Sequence, residues 1–150
     1  MKNKLVLTVG NGMMGDDAAG ALLAIIIEKY PLEQWDVING GAAPENHVHR
    51  IREMAPERVL IVDAADMDLP AGAVRRIGAE RIADPFLLTT HSLPLTFLIQ
   101  ALQEFVPQVD MLGIQPEIVA FGYPMSAPVK RAVEEIYASL KNGAEAWESL

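Results

Sequence analysis

The sequence predicts an α/β fold with three layers, α/β/α, built on a mostly parallel, twisted sheet of roughly five strands. Three observations carry this reading. Short continuous apolar runs such as Val59-Leu60-Ile61-Val62 are the pattern of strands buried on both faces. Longer segments with helical periodicity alternate with them, as crossover helices do. A glycine-rich turn, Gly10-Asn11-Gly12-Met13-Met14-Gly15, follows the first apolar run and leads into the most apolar stretch of the chain, Ala18 to Ile27.

The elements follow in order along one domain, residues 1–150. Lys4 to Val9 is the first strand. The first helix runs from Asp17 to about Tyr30 and stops before Pro31, because the residue ahead of a proline is steered out of the α region. Its apolar residues go nearly all the way round, so it is packed on several sides. Trp35 to Asn39 is the second strand, Gly40-Gly41 a turn, and the second helix begins at Pro44 or Glu45 and ends at Met54. The third strand, Arg58 to Asp63, closes on an acid. Asp66, Asp68, Pro70 and Gly72 form a loop, and the polar-bearing run Ala73 to Ile77 is an edge strand, with an antiparallel partner as one option. Ile82 to Leu88 fits neither template. A helix from Ser92 or Leu93 to Phe105 tolerates Pro94 in its first turn. Val109 to Ile114 is the fifth strand, followed by an irregular loop. The last helix, Ala127 to Lys141, takes Ser126 as N-cap and Gly143 as stop. Residues 144–150 are expected to fray.

Composition narrows the function. The formal charge is −8 and the isoelectric point about 4.8, which disfavours nucleic acid and anionic membranes and suits a neutral or basic partner. There is no cysteine, so disulfides, thiolate metal sites and a cysteine nucleophile are excluded. Ala18 to Ile27 is half the ~20 residues a membrane span needs. The opening Met1-Lys2-Asn3-Lys4 runs into a strand rather than a signal-peptide core. A cytoplasmic monomer is expected.

Gly10, Gly12 and Gly15 spell the dinucleotide fingerprint, but Asp16 and Asp17 stand where its pyrophosphate would lie. Like charges ~4 Å apart repel by about 4 kcal/mol at an effective dielectric near 20. A helix opening on its own carboxylates suits a cation, a proton or a basic peptide instead.

In open α/β sheets ligands gather at the carboxyl ends of strands. The polar residues falling there are Asp16, Asp17, Asn39, Glu45 and Asp63, and His91 at the mouth of a helix reaches the same edge. Two carboxylates and an imidazole suit nickel or zinc, or acid–base chemistry. One of Asp16 and Asp17 serves as a helix N-cap, which leaves Asp17 in need of another role. Asp63 is costly to bury at the end of an apolar strand without a partner. His47 and His49, two residues apart, do not share a helix face and are read as solvated. The four serines include none in G-x-S-x-G, and H-E-x-x-H is absent.

Gly10-Asn11 with Gly15-Asp16-Asp17, Ile61-Val62-Asp63-Ala64, Thr89-Thr90-His91-Ser92-Leu93-Pro94-Leu95 and Gly113-Ile114-Gln115-Pro116 resemble, in order and across nearly the whole chain, the hydrogenase maturation endopeptidases. The segments Gly12 to Asp17 and Gly41 to Asn46 are most similar to the branch that processes the large subunit of the formate hydrogenlyase hydrogenase. The resemblance implies a hydrolase, with aspartyl protease-like character, that removes the C-terminal extension of a [NiFe]-hydrogenase large-subunit precursor after nickel insertion. It implies cleavage after a basic residue near the metal-binding cysteines. It places the family's metal-contacting positions on Asp17, Asp63 and His91, which are also the expected catalytic residues. Nickel is then supplied by the substrate, and no organic cofactor is expected. Family members commonly carry Asp where this chain has Asn39, which keeps an acceptor and loses the charge. The same triad holding a resident catalytic metal is a variant of this reading. A non-cleaving checkpoint or carrier for the nickel-loaded precursor, and a nucleotide-binding domain, are the alternatives.

Overall fold

The computed structural model describes residues 2–82 and 92–150. Five strands, β1 (Lys4–Thr8), β2 (Trp35–Asn39), β3 (Arg58–Ala64), β4 (Val74–Ile77) and β5 (Gln108–Ile114), form one sheet in the order β2-β1-β3-β5-β4. Every pairing is parallel except that of β4 with β5, which is antiparallel. The α-helices among the described residues are α1 (Ala19–Lys29), α2 (Val48–Met54), α3 (Ala79–Ile82), α4 (Ser92–Gln103) and α5 (Ala127–Asn142). The mostly parallel sheet with helices on both sides is the predicted class.

Alternation along the strands divides the core in two. Leu5, Leu7, Val59, Ile61 and Met111 point to the face covered by Ile51 of α2 and by Leu95, Leu98, Ile99 and Leu102 of α4. Val6, Leu60, Val62, Leu112 and Ile114 point to the opposite face, against Leu23 and Ile27 of α1 and Val129, Val133 and Ile136 of α5. All seven residues of β3 are buried, so the strand that ends in Asp63-Ala64 is the centre of the sheet.

Two expectations are corrected at the chain's ends of structure. The first helix does not open at Asp17: Gly15–Ala18 form a 3-10 turn, and α1 starts at Ala19. Residues 144–150 do not fray. The Arg76 N–H donates to the Glu148 carbonyl and the Leu150 N–H to the Arg76 carbonyl, both at 2.8 Å, so the tail pairs with the open edge of β4. Trp147 and Leu150 pack on the two cores. Covering an edge strand in this way removes unpaired backbone groups that would otherwise template association.

The tail is also held by charge. Arg58, nearly buried, donates to Asp110 on β5 at 3.0 Å and to Glu145 at 2.8 Å, and its guanidinium lies over the Trp35 ring. Burial works against its charge, but the bonds to Glu145 and the two carboxylates outweigh it and raise its pKa above the ordinary arginine value. Arg58→Ala strands Glu145 and Asp110, and a loss of about 3 kcal/mol is expected in chemical denaturation, with faster amide exchange at Leu150. A variant as stable as the parent would show that the pair contributes nothing.

No helix among the described residues is long and apolar enough to cross a membrane.

Candidate active site

The strand order fixes where a site can form. From β1 the chain crosses through α1 to β2 on one side, then returns through α2, beneath the other face, to β3 on the opposite side of β1. The two connections leave a crevice at the carboxyl ends of β1 and β3, the switch point where α/β sheets bind ligands. Asp17 follows β1 and Asp63 ends β3, so both fall at this crevice.

Gly10 sets the position of Asp17. Its φ is +132°, a value that L side chains rarely adopt, and a Cβ there would overlap the Asp17 carbonyl oxygen. That Cβ would also lie 3.4 Å from Asp17 Oδ1, so the carboxylate as well as the carbonyl of Asp17 packs close over the glycine. The other carboxylate oxygen, Oδ2, accepts the Asn11 N–H at 2.8 Å. Asp17 is 6% exposed, and its carboxylate is held at the rim by a backbone donor six residues earlier. The Val9 N–H donates to the Val62 carbonyl at 2.9 Å, which brings Val9 beside Asp63. Asp17 and Asp63 thus border the same Val9–Gly10 step from two sides. Asp63 is fully buried.

Asp16 does something else. It is fully buried, and its carboxylate accepts the N–H groups of Glu117 (2.8 Å), Ile118 (3.1 Å) and Ser126 (2.7 Å) and the Ser126 hydroxyl (2.8 Å). In return the Asp16 N–H donates to the Ile118 carbonyl at 2.8 Å. Burial opposes its ionisation, but the backbone donors of Ser126, Glu117 and Ile118 and the Ser126 hydroxyl outweigh that and lower its pKa. The expectation that one of the two aspartates is an N-cap is therefore corrected: neither caps the turn, and Asp16 bolts a loop more than a hundred residues away. Ser126 does sit at the N-cap of α5, yet its hydroxyl serves Asp16 rather than the helix. No local sequence signal points to this pairing.

The glycine turn has little left for a phosphate. The N–H groups of Asn11, Met13, Met14, Asp16 and Asp17 all donate to acceptors within the chain. Tight packing of the helix on β1, which the fingerprint assigns to its third glycine, falls here to Gly20, whose Cβ would lie 2.6 Å from the Val9 carbonyl.

Asn39 is a turn residue. Its Oδ1 accepts the Gly41 N–H at 3.1 Å and the Thr8 hydroxyl at 3.5 Å, contacts that need an acceptor and no charge. Glu45 is exposed on a 3-10 turn, Pro44–His47. His49 is exposed and pairs with Glu53, and His47 is half-buried. Gln115, in the sequence only one residue of the Gly113-Ile114-Gln115-Pro116 segment, is a hub of the structure. Its Oε1 accepts the Met67 N–H at 2.6 Å and the Leu69 N–H at 3.3 Å, and its Nε2 donates to Asp66 Oδ1 at 3.1 Å. It therefore shapes the loop directly after Asp63.

His91, the third predicted ligand, lies outside the described residues. Among the described residues no group of three or more His, Asp or Glu is arranged to hold a metal ion. The donors that are described suit one in kind: two carboxylates, Asp17 and Asp63, on chain segments that flank the Val9–Gly10 step.

Comparison with known proteins gives a consistent result. A family model described as hydrogenase maturation protease matches residues 24–142. The hydrogenase 3 maturation protease of Escherichia coli K12 is 51% identical over 144 residues, covering 96% of this chain and 90% of that protein. The solution structure of an endopeptidase, HycI, from Escherichia coli superposes with a TM-score of 0.92 at 48% identity, covering 100% of this chain and 97% of that one. A crystal structure of a hydrogenase 3 maturation protease gives 0.91 at 48% identity, over 99% of this chain and 97% of that one.

Proposed function

The chain belongs to the hydrogenase maturation proteases, and from that premise we propose that Asp17, Asp63 and His91 form the site at which it recognises nickel already seated in its substrate. The protein is a hydrolase, an endopeptidase acting on a hydrogenase large-subunit precursor. The cut removes a C-terminal extension after nickel insertion, in the cytoplasm, by a monomer. The observation that carries this reading is the Asp17 carboxylate, fixed by the Asn11 N–H at the crevice between β1 and β3, with Oδ1 packed close over Gly10.

Peptide hydrolysis needs water delivered to the scissile carbonyl, its proton accepted, and a proton returned to the leaving amine. In this reading the substrate's metal docks against the two carboxylates and the imidazole. That contact places the scissile bond beside a water, and one of the carboxylates takes the proton. The rigidity of Asp17 favours positioning, since a carboxylate already bonded to backbone has little freedom to lose when substrate arrives. A negatively charged crevice also suits the basic residue that precedes the cut. Position 39 has no ionic part in this scheme, because its side chain is committed to the turn.

The donors named above would also accept a resident metal, which would supply Lewis-acid activation of water. One assay separates the readings. Enzyme purified without added metal is given nickel-loaded and nickel-free precursor. Cleavage of the loaded form alone is expected. Equal cleavage of both forms would remove nickel recognition; cleavage of neither until metal is added to the enzyme would favour the resident metal, and cleavage of neither with metal added would remove the reaction.

A further inference from the structure

Asp16 fastens the loop after β5 so firmly that what the loop displays calls for an explanation. Residues 116–126 carry one charged side chain, Glu117, in a chain of net charge −8. Ile118 and Val119 are 41% and 42% exposed, Tyr123 58% and Phe121 70%. Met13, in the glycine turn, is 62% exposed. The Gly122 N–H donates to the Met13 carbonyl at 2.9 Å, so the turn and the loop form one surface. Gly15 closes the seam, since a Cβ there would lie 2.6 Å from the Ile118 carbonyl. Five of the eight large hydrophobic side chains exposed among the described residues belong to this one patch.

Scattered exposed apolar groups are ordinary, but a contiguous patch on a braced backbone marks a binding surface. Its place is informative. Met13 lies two residues from Asn11, whose N–H holds the Asp17 carboxylate, and the Met13 N–H donates to Asn11 Oδ1 at 2.9 Å. The patch thus adjoins the crevice as an apolar shoulder, placed to meet a protein that brings a scissile bond to Asp17. Its two exposed aromatics are the residue type that most often anchors protein interfaces.

We propose that Met13 together with Ile118, Val119, Phe121 and Tyr123 forms the docking surface for an uncharged, apolar face of the large-subunit precursor next to its cleavage site. This rests on the precursor-processing reading above and adds to it a surface that contributes affinity and no chemistry. The charged crevice reads the metal and the basic residue, and the neutral shoulder seats the body of the substrate.

The test is cleavage kinetics of Phe121→Ser/Tyr123→Ser with nickel-loaded precursor, alongside sedimentation and thermal melting of both proteins. A KM raised about tenfold or more with kcat unchanged within about twofold is expected, because both side chains lie away from the reacting groups. An unchanged KM in an enzyme that still cleaves overturns the docking surface and leaves the protease reading intact. Failure of the parent enzyme to cleave overturns the protease reading and the surface with it. A parent that sediments as a dimer and a variant that sediments as a monomer would assign the patch to a second copy of this chain and overturn the proposal. Should the double variant melt early, Phe121→Ala alone must raise KM at parental melting temperature, and a parental KM there overturns it equally.

Discussion

Asp17→Asn is expected to abolish precursor processing, by a hundredfold or more in kcat/KM, roughly the scale of losing a positioned acid–base or charge-stabilising group. The substitution is chosen for what it leaves in place. Asparagine keeps an oxygen for the Asn11 N–H, so the bond that fixes the side chain at the rim survives. It removes the charge that a bound cation or an accepted proton requires. Stability should therefore stay within about 1 kcal/mol of the parent in chemical denaturation, while cleavage of nickel-loaded precursor followed by mass spectrometry is lost. Parental cleavage by a folded Asp17→Asn protein would remove Asp17 from the site.

One residue earlier the same substitution should do the opposite. Asp16→Asn is expected to cost about 4 kcal/mol of stability, a large share of the roughly 5–15 kcal/mol typical of a domain. Two carboxylate oxygens accept four donors from Glu117, Ile118 and Ser126. A carboxamide offers a single oxygen, and whichever way it is turned its NH2 confronts at least one backbone N–H, which can only donate. At least one buried N–H is left without an acceptor. The loop and the start of α5 lose their anchor, so amide exchange at Ile118 and Ser126 should rise in parallel. A loss below about 1 kcal/mol would mean the network is not holding the loop.

The pH dependence of Asp16 follows from the direction of its shift. Its folded pKa lies below the ordinary aspartate value. Its contribution is then fully present above the unfolded pKa and disappears as pH falls through the folded one. The parent should lose stability steeply on acidification below about pH 4, and Asp16→Asn, having no such proton to take up, should show a shallower fall.

Much of this could be read along the chain. Val59-Leu60-Ile61-Val62 could only be a strand covered on both faces, and Ala73 to Ile77, with its arginines, only an edge. The switch-point rule then singled out the acids after the first and third strands without any contact being known. The tail escaped because its anchors are remote: Glu145 meets Arg58, and Glu148 and Leu150 meet Arg76, across most of the sequence. A polar, short C-terminal run looks like a frayed end until the edge it covers is in view.

The adjacent aspartates show the division most sharply. Composition and periodicity by themselves determined the layered fold, the order of its strands' apolar runs, and the collection of acidic side chains at one end of the sheet, because those depend on local pattern. Which acid serves the fold and which serves the crevice was decided only by tertiary structure. Both lie in one 3-10 turn, yet the Asp16 carboxylate meets the loop after β5 and the Asp17 carboxylate meets Asn11 and Gly10. Partners 101–110 residues distant set the role of Asp16, whereas Asp17 is held at the crevice by Asn11, six residues away.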